Sequence, residues 1–330
     1  MMVRWLYACG FMLALTACDN GSVPAVRTVA QAPDNVMADP APAPVRKRVA
    51  LVMKTLTNPF FVQMEQGARR AERALDVDLL VRTAAQETSI EQQIQIVDDM
   101  IAAKVDAIVI APGDSQRLVP VLKTAIDAGI KVVNIDNRLD PEAIRQAGMA
   151  PVPFISVDNE KGAYAAVRYL VKDLTQPAEA VILEGIRSAD NAKQRLMGAQ
   201  RALAENPQVT LVASESANWK IDEGYTVSEA LFARHPGVTL IFASNDMMGL
   251  GALKYLQDTG KTGVRVGAFD ALDEAVVEVE AGRLAVTVDQ QAAEQGFQGV
   301  AMAMRLINEE PTPDVLLVDT RLVTADSLKK

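Results

Sequence analysis

Residues 48–81 read RVALVMKTLTNPFFVQMEQGARRAERALDVDLLV, and their reading decides the fold. Residues 49–53 are an unbroken apolar run with β-branched side chains, the pattern of a strand buried on both faces. Asn58-Pro59 then marks a helix start, because Asn caps well and Pro at the first helical position gives up only an N–H that would be unbonded anyway. Phe61, Met64, Ala68, Ala71 and Leu75 follow at the spacing of one helix face. Residues 79–81 return to a short apolar strand. Strand, helix and strand in so short a span form the repeating unit of a parallel sheet.

The alternation continues outward. Ser89-Ile90-Glu91-Gln92 reads as a capping box opening a helix with Ile90, Ile94, Val97 and Ile101 on one face. A strand over 107–111, a helix to 128 and a strand over 131–136 complete this half. A second series starts near Phe154, with strands at 154–157, 180–184, 210–213, 240–243 and 264–269. Its helices lie near 159–172, 191–205, 221–234 and 246–259. Residues 284–288, a helix over 291–308 and a strand over 315–320 come last, and neither half needs them in sequence, so they read as shared elements. The predicted class is α/β, two doubly wound parallel-sheet lobes.

The 330 residues, 49% hydrophobic and 23% charged, suffice for about two domains with sizeable cores. A net charge of −9 and a pI near 4.9 argue against a nucleic-acid partner, which needs a basic face. Cys9 and Cys18 are the two cysteines and His235 the single histidine. If the N-terminus is a cleaved signal, the mature chain keeps at most one sulfhydryl and one imidazole, which excludes a disulfide framework, a cysteine zinc site and any site needing two histidines, and disfavours Cys–His catalysis. His235 precedes Pro236-Gly237 and reads as a helix C-terminus.

Residues 1–18, MMVRWLYACGFMLALTAC, carry Arg4 ahead of an apolar run over 5–15. The run has the length of a signal-peptide core and falls short of the roughly 20 residues that span a bilayer. It ends in Leu15-Thr16-Ala17-Cys18, which resembles a bacterial lipobox. The resemblance implies cleavage after residue 17, lipidation of Cys18 and, from Asp19, retention at the inner membrane. The plainer alternative is an ordinary secretory signal with an incidental Cys. Pro24, Pro33, Pro40, Pro42 and Pro44 then lie among many alanines with no apolar periodicity, so residues 18–46 read as the anchor and an extended, disordered tether.

Doubly wound sheets bind ligands beyond the carboxyl ends of their strands. After the first strand stand Lys54, Asn58, Phe60 and Phe61; after the fourth, Asp136, Asn137 and Arg138. The second half offers Arg195, Trp219, Asn245 and Asp270, and the shared segment Gln290. Asp, Asn, Gln and Arg each engage two hydroxyls at once, and flat rings cover the C–H faces of a sugar. No nucleophile stands beside a general base, so no enzyme, cofactor or metal is expected. Other roles stay open: one of Phe60 and Phe61 packs in the core, Asp136 and Asp270 cap the next helices, and one of Asn245 and Asp246 caps while the other faces the cleft. The run from Gly249 to Gly251 lacks a third glycine and falls inside a helix, so it is no dinucleotide fingerprint.

Lys54-Thr55-Leu56-Thr57-Asn58-Pro59-Phe60-Phe61, Ile135-Asp136, Ala243-Ser244-Asn245-Asp246-Met247, Val266-Gly267-Ala268-Phe269-Asp270 and Asp289-Gln290 together resemble the periplasmic sugar-binding proteins of the ribose and D-allose group. The resemblance runs in register from Arg48 to about Thr324. It implies the type I periplasmic binding fold, with two lobes joined by a three-strand hinge near Val157-Asp158, Gln290-Gln291 and Asp319-Thr320. The lobes are then 47–157 with 291–319, and 158–290 with 320–330. It also implies ligand contacts at Asn58, Phe60, Phe61, Asp136, Arg195, Trp219, Asn245, Asp270 and Gln290.

Ribose binders usually place Asn where this chain has Ala111 and Arg where it has Asn137, while Lys54 looks like the allose-type branch. The expected ligand is therefore a hexose such as allose, or a related pentose or polyol. The expected protein is a monomeric, lipid-anchored receptor that closes on its sugar and delivers it to an ABC-type permease in the inner membrane. A periplasmic sensor presenting its sugar to a chemoreceptor or sensor kinase is the alternative.

Overall fold

The structure, a computed structural model, describes residues 46–329; the signal segment, Cys18 and nearly all of the tether lie outside them. In chain order the first series is β1 (Arg48–Met53), α1 (Pro59–Leu75), β2 (Asp78–Thr83), α2 (Ile90–Ala102), β3 (Ala107–Ile110), α3 (Val119–Asp127), β4 (Lys131–Ile135), α4 (Pro141–Gln146) and β5 (Phe154–Val157). The second is α5 (Asn159–Val171), β6 (Ala178–Glu184), α6 (Asp190–Ala204), β7 (Val209–Ser216), α7 (Ile221–Arg234), β8 (Val238–Ala243), α8 (Asp246–Asp258), β9 (Arg265–Gly267), α9 (Asp273–Glu280) and β10 (Thr287–Asp289). The chain finishes with α10 (Ala292–Ile307), β11 (Val315–Val318) and β12 (Arg321–Val323).

One sheet is ordered β11-β5-β4-β3-β1-β2 and is parallel throughout. The other is ordered β7-β6-β8-β9 and is also parallel. Single bridges, Gly267 to Val286 and Asp270 to Asp289, join its edge to the antiparallel pair β10-β12. Residues 49–53 are fully buried, as expected for a central strand with helices on both faces. The chain thus passes from one sheet region to the other after β5, after β10 and after β11.

Two elements lie elsewhere than the strand–helix alternation alone grouped them. The 154–157 strand opens the second series by pattern, yet it pairs with β4 and β11 in the first sheet. Residues 284–288 do not serve both halves; β10 adds to the second sheet region, and only α10 and β11 return to the first. The capping box at Ser89 does not form: its side chain makes no cap bond, and Gln92 Oε1 instead accepts from the Ala85 N–H at 2.7 Å. Three short elements, α4, α9 and β12, carry too few apolar residues to announce themselves by periodicity, although Asp140-Pro141 gives α4 a regular cap, with Asp140 Oδ1 accepting from Ala143 N at 2.8 Å.

Helix α1 is fixed by a close crossing with α10. A Cβ on Gly67 would fall 1.7 Å from the Ala293 carbonyl oxygen, and one on Gly296 would fall 2.0 Å from that of Met64. Only glycine lets the two backbones touch here. The crossing sets where the α1 N-terminus, with Asn58, Phe60 and Phe61, faces the second sheet.

Candidate functional site

The carboxyl ends of both sheets converge on a tight cavity of about 20 Å³ lined by Lys54, Asn58, Phe60, Phe61, Glu87, Asp136, Asn191, Arg195, Trp219, Asn245, Asp270 and Gln290. Every lining residue is under 9% exposed. Most polar groups here are therefore already out of water and need partners.

Local backbone chemistry aims these side chains. Asn58 caps α1, its Oδ1 accepting from Phe60 N at 3.1 Å, while its Nδ2 donates to Glu87 Oε1 at 2.9 Å. Asn245 likewise caps α8 through Oδ1 and Met248 N at 2.9 Å, and its Nδ2 donates to the Trp219 carbonyl at 3.3 Å. Asp136, Asn218, Trp219, Asp270, Ala271 and Gln291 all adopt positive φ. Left-handed backbone at non-glycine residues costs about 1–3 kcal/mol each and persists where surrounding structure imposes it, commonly at binding sites. Here it clusters at strand ends around the cavity. Gly185 supplies the floor for Trp219, for a Cβ there would lie 2.0 Å from Cζ2 of the indole.

Two buried ion pairs cross the cavity walls. Lys54 Nζ stands 2.8 Å from Asp136 Oδ2, and Arg195 Nη1 stands 3.4 Å from Asp270 Oδ1. Arg195 also donates to Asn159 Oδ1 and the Ser244 carbonyl at 2.8 Å and to Gln290 Oε1 at 3.2 Å, with its guanidinium 3.8 Å above the Phe269 ring. Gln290 Nε2 donates to Asp270 Oδ1 at 2.6 Å. Burial pulls the Arg195 pKa down against the opposing field of Asp270. Burial likewise pushes the Asp270 carboxyl well above its ordinary value, with Arg195 resisting. Glu87 is raised by burial too, with Lys54 opposing. Asp246, beneath Asp270, is pushed up to about 6 by burial.

Among the described residues, three buried polar atoms of the cavity lining lack a hydrogen-bond partner: Asp136 Oδ2, Asn191 Oδ1 and Trp219 Nε1. Lys54 Nζ, 2.8 Å away, gives Asp136 Oδ2 a charged partner, so the uncompensated atoms are Asn191 Oδ1 and Trp219 Nε1. An unmet buried polar atom costs about 1–3 kcal/mol. One free acceptor, one free donor and an ion pair, flanked by aromatic rings, suit a small ligand that both donates and accepts.

Ten of the eleven cleft residues anticipated from sequence meet here; Asn137 does not. It is fully buried behind the lining, its Nδ2 donating to the Pro112 carbonyl at 2.9 Å and its Oδ1 accepting from Asn191 N at 3.2 Å. Both ends of the amide are committed to the framework, so Asn137 stands behind Asn191 and outside the cavity lining. Neither Asp136 nor Asp270 caps the following helix, where Asp140 and Leu272 take that position. Asn245 both caps and lines the cavity, whereas Asp246 points away and accepts from Leu272 N at 2.8 Å and Thr287 Oγ1 at 2.6 Å. Phe60 and Phe61 both face the cavity, packed edge to face at 5.1 Å. Glu87 and Asn191 escaped the sequence reading. Glu87 follows the second strand, so the strand-end rule covers it, but Asn191 lies within the first turn of α6 and gives no such signal.

The family described as "Periplasmic binding protein domain" matches residues 49–311. The chain is 41% identical over 293 residues to the D-ribose/D-allose-binding protein of Pseudomonas aeruginosa, covering 86% of this chain and 91% of that one. It is 30% identical to the D-allose-binding periplasmic protein of Escherichia coli, covering 83% and 91%. An ABC transporter periplasmic solute binding protein from Actinobacillus succinogenes with bound D-allose superposes with a TM-score of 0.81 at 36% identity, covering 86% of this chain and 99% of that one. The chain belongs to the periplasmic binding protein family, among the non-enzymatic solute-binding proteins of ABC transporters that include the D-ribose and D-allose binders.

Proposed function

We propose that this protein is a periplasmic receptor that captures one monosaccharide, a hexose such as allose or a related pentose or polyol, and delivers it to an ABC-type permease. The observation that carries the reading is a pair of unpartnered polar atoms, Asn191 Oδ1 and Trp219 Nε1, and the buried Lys54–Asp136 ion pair, held in one cavity beside Phe60 and Phe61. Sugar hydroxyls donate and accept, and the rings cover the apolar faces between them. Asp136 comes from residues 47–157, which with 291–319 make one lobe. Asn191 and Trp219 come from residues 158–290, which with 320–330 make the other. A sugar bridging these atoms is held fully only when the lobes are together, so it shifts the population toward closure. Lipidation at Cys18 keeps the receptor near the inner-membrane permease, raising its local concentration there.

Titration calorimetry of the purified chain with D-allose, D-ribose, other monosaccharides and polyols tests this. The expected result is saturable one-to-one binding of at least one of them, with the sugar recovered unchanged. Binding of none, alongside binding of an amino acid or another metabolite, would refute it.

A further inference from the structure

We infer that Glu87 reads a hydroxyl of the bound sugar through Oε2, an assignment that rests on the sugar reading above. Glu87 enters the cavity from the connection between β2 and α2 and is only 8% exposed. The connection is seated firmly, because Gly113 lies so close that a Cβ there would come within 2.9 Å of the Glu87 carbonyl oxygen. Glu87 Oε1 accepts from Asn58 Nδ2 at 2.9 Å, and Asn58 is itself pinned by its cap bond to Phe60 N. The carboxyl is therefore oriented, with Oε1 occupied and Oε2 free of any protein donor among the described residues.

The pairing of charges singles this group out. Lys54 is matched with Asp136, and Arg195 with Asp270. Among the described residues Glu87 is the one carboxyl of the cavity lining without an ion-pair partner. Holding Asn58 needs only a neutral acceptor, so a buried carboxyl is an expensive way to do that alone. A second donor makes the choice intelligible, and a ligand hydroxyl is the donor the cavity admits. Asn58, Glu87 and Trp219 also face an adjoining groove, so the hydroxyl concerned is the one at that wall. A carboxylate or phosphate on the ligand at this place would meet Glu87 as a like charge and be rejected.

Glu87→Gln separates contact from support, since the amide oxygen still accepts from Asn58 while an NH₂ replaces the free acceptor. The full chain and this variant are titrated with D-allose, D-ribose and the monodeoxy analogues of whichever binds. The expected loss for the variant is about tenfold or more, the size of a hydrogen bond to a charged group. One monodeoxy analogue, lacking the contacted hydroxyl, should bind both proteins equally. Equal losses across all analogues would reduce Glu87 to a support for Asn58 and overturn the assignment, as would unchanged affinity. Failure of the unaltered chain to bind any of these sugars would instead bring down the sugar reading itself.

Discussion

Replacing Gly185 by Ala asks whether the chain itself, and not the ligand, holds the Trp219 indole in place. An ideal Cβ on Gly185 would lie 2.0 Å from Cζ2, 2.2 Å from Cη2 and 2.3 Å from Cε2 of the ring. Carbon atoms need about 3.5–4.0 Å, so the ring must shift by roughly 1.5 Å or the turn after β6 must open. The loop resists both. Asn218 and Trp219 hold φ of 48° and 66°, and Ser216 Oγ donates to the Gly185 carbonyl at 2.7 Å. Asn218 Nδ2 is tied to Glu223 at 2.6 Å, and the Trp219 carbonyl to Asn245 at 3.3 Å. Overpacking of this kind costs about 1–3 kcal/mol, or roughly 2–10 °C in Tm for a body of this size. Displacing the ring also removes one apolar wall, with an expected loss of about tenfold in sugar affinity, ~1.4 kcal/mol. Trp219 is the one tryptophan beyond residue 5 and is 4% exposed, so its emission reports the ring directly. The variant should emit further to the red, melt lower and bind more weakly. A folded variant with unchanged emission and unchanged affinity would refute the claim that the indole rests on Gly185.

Two further outcomes follow from the buried polar groups. Asp246 is raised from 3.8 to about 6, so between those values the native state holds a proton the unfolded chain has released. Stability therefore falls as pH rises through that window, by roughly 3 kcal/mol from this group, and Asp246→Asn should flatten the fall; denaturant midpoints that track pH identically in both proteins would contradict it. Asn137→Ala removes the acceptor that holds Asn191 N and the donor to Pro112. Although Asn137 lies behind the cavity wall, sugar affinity should drop by about fivefold to thirtyfold, the equivalent of one to two kcal/mol for a lost buried bond. Calorimetry showing no change would mean that Asn191 is fixed by other contacts.

The legibility of this protein from sequence was uneven for physical reasons. The 49–53 run and the Asn58-Pro59 start identify β1 and α1 without ambiguity, because central parallel strands are apolar on both faces and this cap is local chemistry. Sheet membership is not local. The 154–157 segment is a strand by composition, but its partners are decided by β11, more than 150 residues later in the chain. The cleft residues were readable where they followed strands, since the topology sends every strand's carboxyl end to one place. Asn137 shows the limit of that rule: it has the right residue type at the right strand end, yet the turn points its amide into the framework. Asn191 shows the converse, because a residue in the first turn of a helix reaches the cavity only through the orientation of α6, which depends on tertiary packing.

The return of α10 and β11 to the first sheet also governs when that sheet can exist. Until residues 292–318 have emerged, β5 has no partner on its outer side and the Gly67–Gly296 crossing cannot form. A chain that crosses the membrane N-terminus first delivers the first half before the elements that complete it, while local helices form far faster than the rest can follow. Throughout this interval the emerging chain carries an open strand edge and an uncovered helix face, the features that invite mispairing and chaperone capture. The first half to be made is thus the half that must wait, and the last helix acts as its latch in time as well as in space.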